Sequence, residues 1–399
     1  MIRVFLKKFP TQRRKGAKLR PSAARNLNFA PLRVCVGTSL LVLLGVLCHA
    51  QSDTFFSEWR PNSDTRGIRF VGNKVCADCH PKEATQLTTP MALALEVAPD
   101  CKIVTARGKL TFRNGPYTYE ISRQGQSVNY TVSDGAKSIT RPILYCFGQG
   151  HIGQTYVFRH NDILYETRVS FFQKLRALDF TIGHTPSVPT SLDDALGRAI
   201  GGSEPRECFG CHTTGAVNGM DLNLDRLTPG IGCEACHGPG EKHLVAMKEK
   251  KFEEPQIFNP GGLGAHELSQ SFCGTCHTSF ETTMLMPGQS SVNNIRFQPY
   301  RMFNSRGHNT NDPRIGCLAC HNPHEKLQKD TSYYDSKCLA CHLTKPKDAK
   351  TERRSAAACP VSTKKCTTCH MPKVELRGMH AEFTDHWIRI AKPGDPVPR

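Results

Sequence analysis

The sequence predicts a fold of mainly short helices and long loops, with an inserted antiparallel β-module. Three observations carry this expectation. The pentapeptide Cys-X-X-Cys-His occurs seven times, at residues 76–80, 208–212, 233–237, 273–277, 317–321, 338–342 and 366–370, here motifs 1 to 7. Gly and Pro interrupt the stretch around motifs 2 to 7, as in Gly238-Pro239-Gly240, Asn259-Pro260-Gly261-Gly262 and Asn322-Pro323. Such punctuation leaves little room for long helices. Between motifs 1 and 2, polar and apolar residues alternate with period two, the mark of half-buried strands.

The elements follow in chain order. Residues 1–33 carry ten Lys or Arg and no acid, and the run 34–47 is apolar. Residues 1–50 therefore read as a signal peptide cut near Ala50. The run is short for a membrane span, so none is expected in the mature chain. Residues 51–101 form a first segment with motif 1. Residues 102–185 form the β-rich insertion, with alternating stretches at 109–113, 117–121, 128–132, 154–158 and 163–167. Turn pairs Asn114-Gly115, Asp134-Gly135 and Asn161-Asp162 punctuate them as hairpins. Residues 186–390 hold the other six motifs, with short helices expected at the motifs and at 192–200 and 241–250. Residues 344–358 read as a solvated surface segment, and 391–399 as a flexible tail.

The repeated pentapeptide is the attachment signature of c-type haem. Chance placement would give roughly 0.04 matches for such a motif at these residue frequencies. Thioethers to the haem vinyl groups need two thiols: Cys76 and Cys79, Cys208 and Cys211, Cys233 and Cys236, Cys273 and Cys276, Cys317 and Cys320, Cys338 and Cys341, Cys366 and Cys369. The next residue then sits under the iron as proximal ligand. Those ligands are His80, His212, His237, His277, His321, His342 and His370. Four-cysteine zinc sites share some of these spacings, but zinc would not need a His after every pair. A thioredoxin-like reading lacks its βαβ setting. The expected cofactor is haem c, seven copies, covalently attached. Attachment after export places the product in the periplasm, or secreted or at the cell surface.

The net charge of +17 overstates the mature protein. Without the ten cations of residues 1–33 the remainder carries +7. Each ferric c haem adds about −1 on a formal count of iron, porphyrin and propionates. The holoprotein is then near neutral, and the basic balance gives no argument for nucleic acid. Lys and Arg are expected to pair with propionates. The 349 residues after Ala50 allow about 50 per haem, too few to build each core from side chains alone.

Flanking residues carry a resemblance. Gly232-Cys-Glu-Ala-Cys-His-Gly-Pro-Gly240 with His243, Ser305-Arg-Gly-His308 before Cys317, Cys320-His-Asn-Pro-His324, and Cys369-His-Met-Pro-Lys373 resemble the bacterial multihaem cytochromes of the cytochrome c-554 type. That superfamily also holds hydroxylamine oxidoreductase and pentahaem nitrite reductases. The stretch Phe383-Thr-Asp-His-Trp-Ile-Arg389 resembles the end of related multihaem proteins. The resemblance covers residues 71–100 and 200–390. It implies a multihaem cytochrome c fold: short helices and long loops around stacked haems, most of them bis-His. In such cytochromes Ser-X-His often follows the first motif. Here Thr89-Pro90-Met91 stands there, so Met91 is either a substitute ligand or ordinary packing. No Cys-X-X-Cys-Lys occurs, which argues against the nitrite reductase reaction.

Nine His lie outside the motifs and leader, at 151, 160, 184, 243, 266, 308, 324, 380 and 386. His308, His243, His324 and His380 are the leading distal ligands, followed by His386 and His184, then Met91 and His151. His324 is too near His321 to cross its own porphyrin, so it is expected to serve a neighbour. His160 is expected to be exposed in a turn. Cys101 and Cys146 flank the strands and are candidates for a disulfide. The expected function is transfer of single electrons between redox proteins, either other cytochromes or a membrane quinol-oxidising complex. The alternative is an oxidoreductase with one open-coordinate haem acting on a small nitrogen or sulfur compound.

Overall fold

Ten strands form one antiparallel sheet in a computed structural model that describes residues 67–286, 292–308, 310, 312, 314–342, 359–392 and 394–398. They are β1 (Leu95–Val97), β2 (Lys109–Asn114), β3 (Tyr117–Gln124), β4 (Ser127–Ser133), β5 (Ser138–Phe147), β6 (Gly153–His160), β7 (Ile163–Thr167), β8 (Val169–Phe172), β9 (Ala177–Phe180) and β10 (Gly197–Ala199). The spatial order is β10-β7-β6-β5-β4-β3-β2, with β1 paired to β5 and β8 paired to β6 and β9. The expected leader at 1–50 and surface segment at 344–358 lie outside the described residues.

The sheet overturns the expectation of a fold made mainly of short helices and loops around haems. Its largest element is all β, and it reaches beyond the alternating stretch at both ends. The reason is local. Strands β1 and β10 have only three residues each, too few to show a period. Strand β8 is buried at all four positions, so its Val-Ser-Phe-Phe sequence does not alternate. These strands are specified by pairing with longer neighbours.

The expected hairpins explain the middle of the sheet. Residues His160 and Ile163 pair across a two-residue turn whose Asn161 and Asp162 both have positive φ, 48° and 60°. Such left-handed pairs match the twist of the flanking strands. The register shifts between Ile143 and Tyr145 of β5. This irregularity lets its first half pair with β4 and its second half with β1 and β6. One face buries Tyr119, Ile121, Tyr130, Val132, Tyr156, Phe158 and Phe171. The other face of β5 to β7 packs Leu144, Tyr145, Phe147, Val157 and Leu164 against Phe209. His160 ends β6 and is buried rather than exposed, because period two turns it to the same side as Tyr156 and Phe158. Its Nδ1 accepts from Arg141 Nε at 3.0 Å.

All seven motifs lie on or at the ends of helices. Motif 1 ends Asn73–Cys79, motif 2 ends Glu204–His212, and motifs 3 and 7 are the helices Cys233–His237 and Cys366–His370. Motif 4 spans the junction of Leu268–Cys273 and Gly274–His277. Motif 5 contains Cys317–Cys320, and motif 6 starts at the end of Thr331–Leu339. The helix expected at 192–200 stops at Leu196 and continues as β10. The one expected at 241–250 runs Glu241–Lys248. The tail is tied where Arg301 Nη1 donates to the Pro398 carbonyl at 2.8 Å. Among the described residues, no helix is long and apolar enough to cross a membrane.

Candidate haem centres

Six of the motifs meet in three pairs, each built the same way. Asn73 lies one turn before Cys76, and its Oδ1 accepts the Cys233 N–H at 3.1 Å. Ser269 lies one turn before Cys273, and its Oγ accepts the Cys317 N–H at 3.1 Å. Asp335 lies one turn before Cys338 and accepts the Cys366 N–H at 2.8 Å and the Lys365 N–H at 2.7 Å. A polar side chain on the helix of one motif thus caps the first turn of another motif's helix. In each pair the two first cysteines are near enough to shift one another's ionisation: Cys76 with Cys233, Cys273 with Cys317, Cys338 with Cys366. Glu234 reinforces the first pair from inside motif 3. Its buried carboxylate accepts the N–H groups of Val71, Gly72 and Gly240, each at 2.8 Å.

The pairs join end to end. Cys236 of motif 3 faces Cys273 of motif 4, and Cys320 of motif 5 faces Cys338 of motif 6, each within electrostatic reach. Motif 2 stands beside motif 4, with Cys211 Sγ 3.8 Å from the Thr275 carbonyl oxygen. The pairs of motifs 4–5 and 6–7 join through the helices of motifs 5 and 6, and motif 2 stands at motif 4. The sheet positions motif 2. Phe209 packs edge-on against Tyr145 and Phe147, at 4.9 and 5.2 Å between ring centres. Phe147 also meets the His212 ring at 5.1 Å.

The histidines are held by one repeated contact. Nδ1 lies 3.0 Å from Ala94 O in His212, 3.0 Å from Phe258 O in His237, and 3.1 Å from Arg389 O in His370. The same contact is 2.6 Å from His243 to Pro255 O and 3.0 Å from His386 to Thr384 O. A carbonyl oxygen can only accept, so Nδ1 carries the hydrogen and Nε2 keeps a bare lone pair. That is the tautomer a metal needs, with the other ring nitrogen already held by a carbonyl. Burial pushes the pKa values of His212, His237, His277 and His321 down, which favours the neutral, ligating form.

Three proximal histidines face a second imidazole. His80 and His243 have ring centres 6.2 Å apart, His237 and His324 6.1 Å, and His321 and His386 6.2 Å. A metal–imidazole bond is about 2.0 Å and the ring centre lies about 1.1 Å further back, so two imidazoles on opposite sides of one metal sit about 6.2 Å apart. That spacing would leave room for an iron held by both rings of each pair. The other candidates lie elsewhere. His308 meets His266 at 5.7 Å and Phe303 at 4.8 Å. His380 is turned to the sheet, its Nε2 2.8 Å from Asp179 Oδ2 and its ring against Phe172. His184 also faces the sheet, with Nε2 3.3 Å from Glu166 Oε1. Met91 lies in a half-buried turn whose carbonyl accepts the Ile231 N–H at 2.9 Å. His151 is exposed.

Sequence reasoning missed the caps Asn73, Ser269 and Asp335, and the latch Glu234. Their shared position one turn before a motif's first cysteine is a visible signal for the three caps, but their partners are 160, 48 and 31 residues away. It also missed the buried clamp on His386. Arg301 and Asp385 make two hydrogen bonds at 2.8 and 2.9 Å, both side chains being almost wholly buried. Arg389 adds a third at 2.5 Å, and the Arg301 guanidinium lies 4.8 Å over the Trp387 ring.

Motif helices that meet in pairs, three of them with a histidine whose Nε2 is left free to bind a metal, are the arrangement of a multihaem c-type cytochrome. The comparisons agree. The family described as "Cytochrome c554 and c-prime" matches residues 190–238, which include motifs 2 and 3 up to Gly238. "Multiheme cytochrome MtrA" of Shewanella baltica (strain OS185) is 27% identical over 161 residues, or 39% of this chain and 38% of that protein. The match thus spans well under half of either protein. No solved structure matches the chain. Over these stretches the chain is similar to multihaem c-type cytochromes, and to the cytochrome c554 family in particular.

Proposed function

We propose that the seven motifs carry seven c haems and that the protein passes single electrons between redox partners outside the cytoplasm. The observation that carries this reading is the set of three imidazole pairs at 6.1 to 6.2 Å. In it His243, His324 and His386 are the distal ligands of motifs 1, 3 and 5. Bound haem supplies reversible one-electron chemistry at its iron. The chain's own residues do the rest. The capped motif pairs set the order of the centres, and the Nδ1 contacts fix each ring. Two imidazoles close both faces of an iron, which suits a carrier better than substrate binding.

Export is part of the reading. The basic, then apolar, N-terminal stretch serves as the leader, with cleavage near Ala50, and the attached protein resides in the periplasm or at the cell surface. Partners are other cytochromes or a membrane quinol-oxidising complex. MtrA is itself a multihaem cytochrome by name, which supports electron transfer here. The test is haem content per chain with spin state, before and after adding carbon monoxide to the reduced holoprotein. Seven haems, with at least three low-spin and unresponsive, are expected. A holoprotein in which most haems bind carbon monoxide overturns the carrier reading.

A further inference from the structure

Three cysteines of the described chain stand outside the motifs: Cys101, Cys146 and Cys359. Cys101 and Cys146 are both 0% exposed and lie in the core of the sheet. The route to their meeting is set by register. Strand β1 runs antiparallel to β5 with Glu96 opposite Cys146. The chain then turns through Ala98–Asp100 and returns Cys101 over β5. Both side chains, free thiols in this structure, lie in the same buried cluster and interact with one another. Cys101 Sγ also donates to Gln154 Oε1 at 3.0 Å, and Gln154 Nε2 donates to Glu96 Oε2 at 3.0 Å and to the Gly148 carbonyl at 2.8 Å. The pair therefore sits where β1, β5 and β6 converge.

We propose that Cys101 and Cys146 form a disulfide that staples the entry of the sheet to its central strand. The fourteen motif cysteines are committed to thioethers. Cys359 is partly exposed and lies outside this core, so it is left single. The thiolate is the nucleophile in exchange. Cys101 attacks a disulfide of an exported thiol oxidant, forming a mixed disulfide and releasing one oxidant thiol. Cys146 then loses its proton and attacks the Cys101 sulfur, and the second oxidant thiol leaves. Two electrons and two protons end on the oxidant as a dithiol. Burial of both sulfurs sets the order of events. Exchange happens before β1 closes on β5, and the folded sheet afterwards shields the bond from reductant.

The experiment uses exported holoprotein, denatured and alkylated with iodoacetamide without reductant, then digested and weighed. The peptide holding Cys101 is expected to be cross-linked to that holding Cys146, with Cys359 alone labelled. Prior reduction should label all three. Label on Cys101 and Cys146 without reduction, or a link from either to Cys359, overturns the proposal. Thermal midpoints of Cys101→Ser, Cys146→Ser and the double variant give a second reading. Each single loss should equal the double, and independent additive losses count against the bond.

Discussion

At the scale of single residues, the decisive chemistry is which imidazole nitrogen is free. The carbonyls of Ala94, Phe258, Pro255, Thr384 and Arg389 settle that question for five histidines before any metal arrives. This much could not be read in the sequence, because a backbone carbonyl has no residue signature. The proposed proximal ligands could be read from the sequence, since the pentapeptide contains them. His243 and His324 could be picked out as candidates in the same way, being close to a motif yet too close to serve it. A direct consequence is testable. Replacing His243, His324 or His386 by Ala should convert one haem from low-spin to high-spin and add one carbon monoxide site. Replacing His386 by Met should keep that haem low-spin and raise its potential, as His/Met ligation does. A redox titration combined with a spin-state spectrum checks both, and an unchanged spectrum in all three Ala variants would refute the pairing.

At the scale of elements, short helices of four to nine residues cannot be stable alone. What helps to hold those of motifs 3, 5 and 7 is the cap each receives from a distant helix. Asp335 shows the sign of the effect. Burial works against its ionisation, but the N–H groups of Cys366 and Lys365 outweigh it and keep its pKa below the usual carboxylate value. Its contribution is therefore present above that value and is lost as pH falls through the folded pKa. Asp335→Ala should cost about 1 to 2 kcal/mol near neutral pH, the usual worth of such a cap. That loss should shrink in acid, as followed by thermal unfolding across pH. The Arg301–Asp385 clamp is the larger case. Arg301→Leu leaves a buried carboxylate, which typically costs about 3 to 5 kcal/mol. Arg389 still pairs with Asp385, so the lower end is expected. The same segment orients two centres: Asp385 precedes His386, and the Arg389 carbonyl receives His370 Nδ1. Arg301→Leu should therefore disturb the spectra of motifs 5 and 7 together, and an effect confined to one would break the argument. The hairpin strands were legible because period two and turn pairs coincide there. Strands β1, β8 and β10 were not, since three-residue and fully apolar strands take their identity from partners.

At the scale of the whole molecule, two kinds of core coexist in one chain. The sheet has a continuous side-chain core of Tyr, Phe, Val and Ile, closed by its own hairpins. Beyond Leu227 no comparable cluster forms among the described residues, and the buried apolar side chains there are scattered: Ala235, Ala246, Leu268, Ile295, Tyr300, Met302 and Leu376. The sequence hid this contrast because the motifs, counted alone, suggest one cofactor-built core throughout. The contrast separates what cofactor loss can do. The sheet's apolar burial does not depend on porphyrin, whereas the motif helices lack enough side-chain surface to hold together. Chain produced without haem attachment should keep an antiparallel far-ultraviolet signal while its motif region becomes open to protease. Limited proteolysis is expected to leave a resistant fragment beginning near β1 and ending near β10, and to degrade residues 230–390. Holoprotein under the same conditions should resist across both parts. Rapid loss of the sheet fragment from the haem-free chain would show that the sheet too depends on haem.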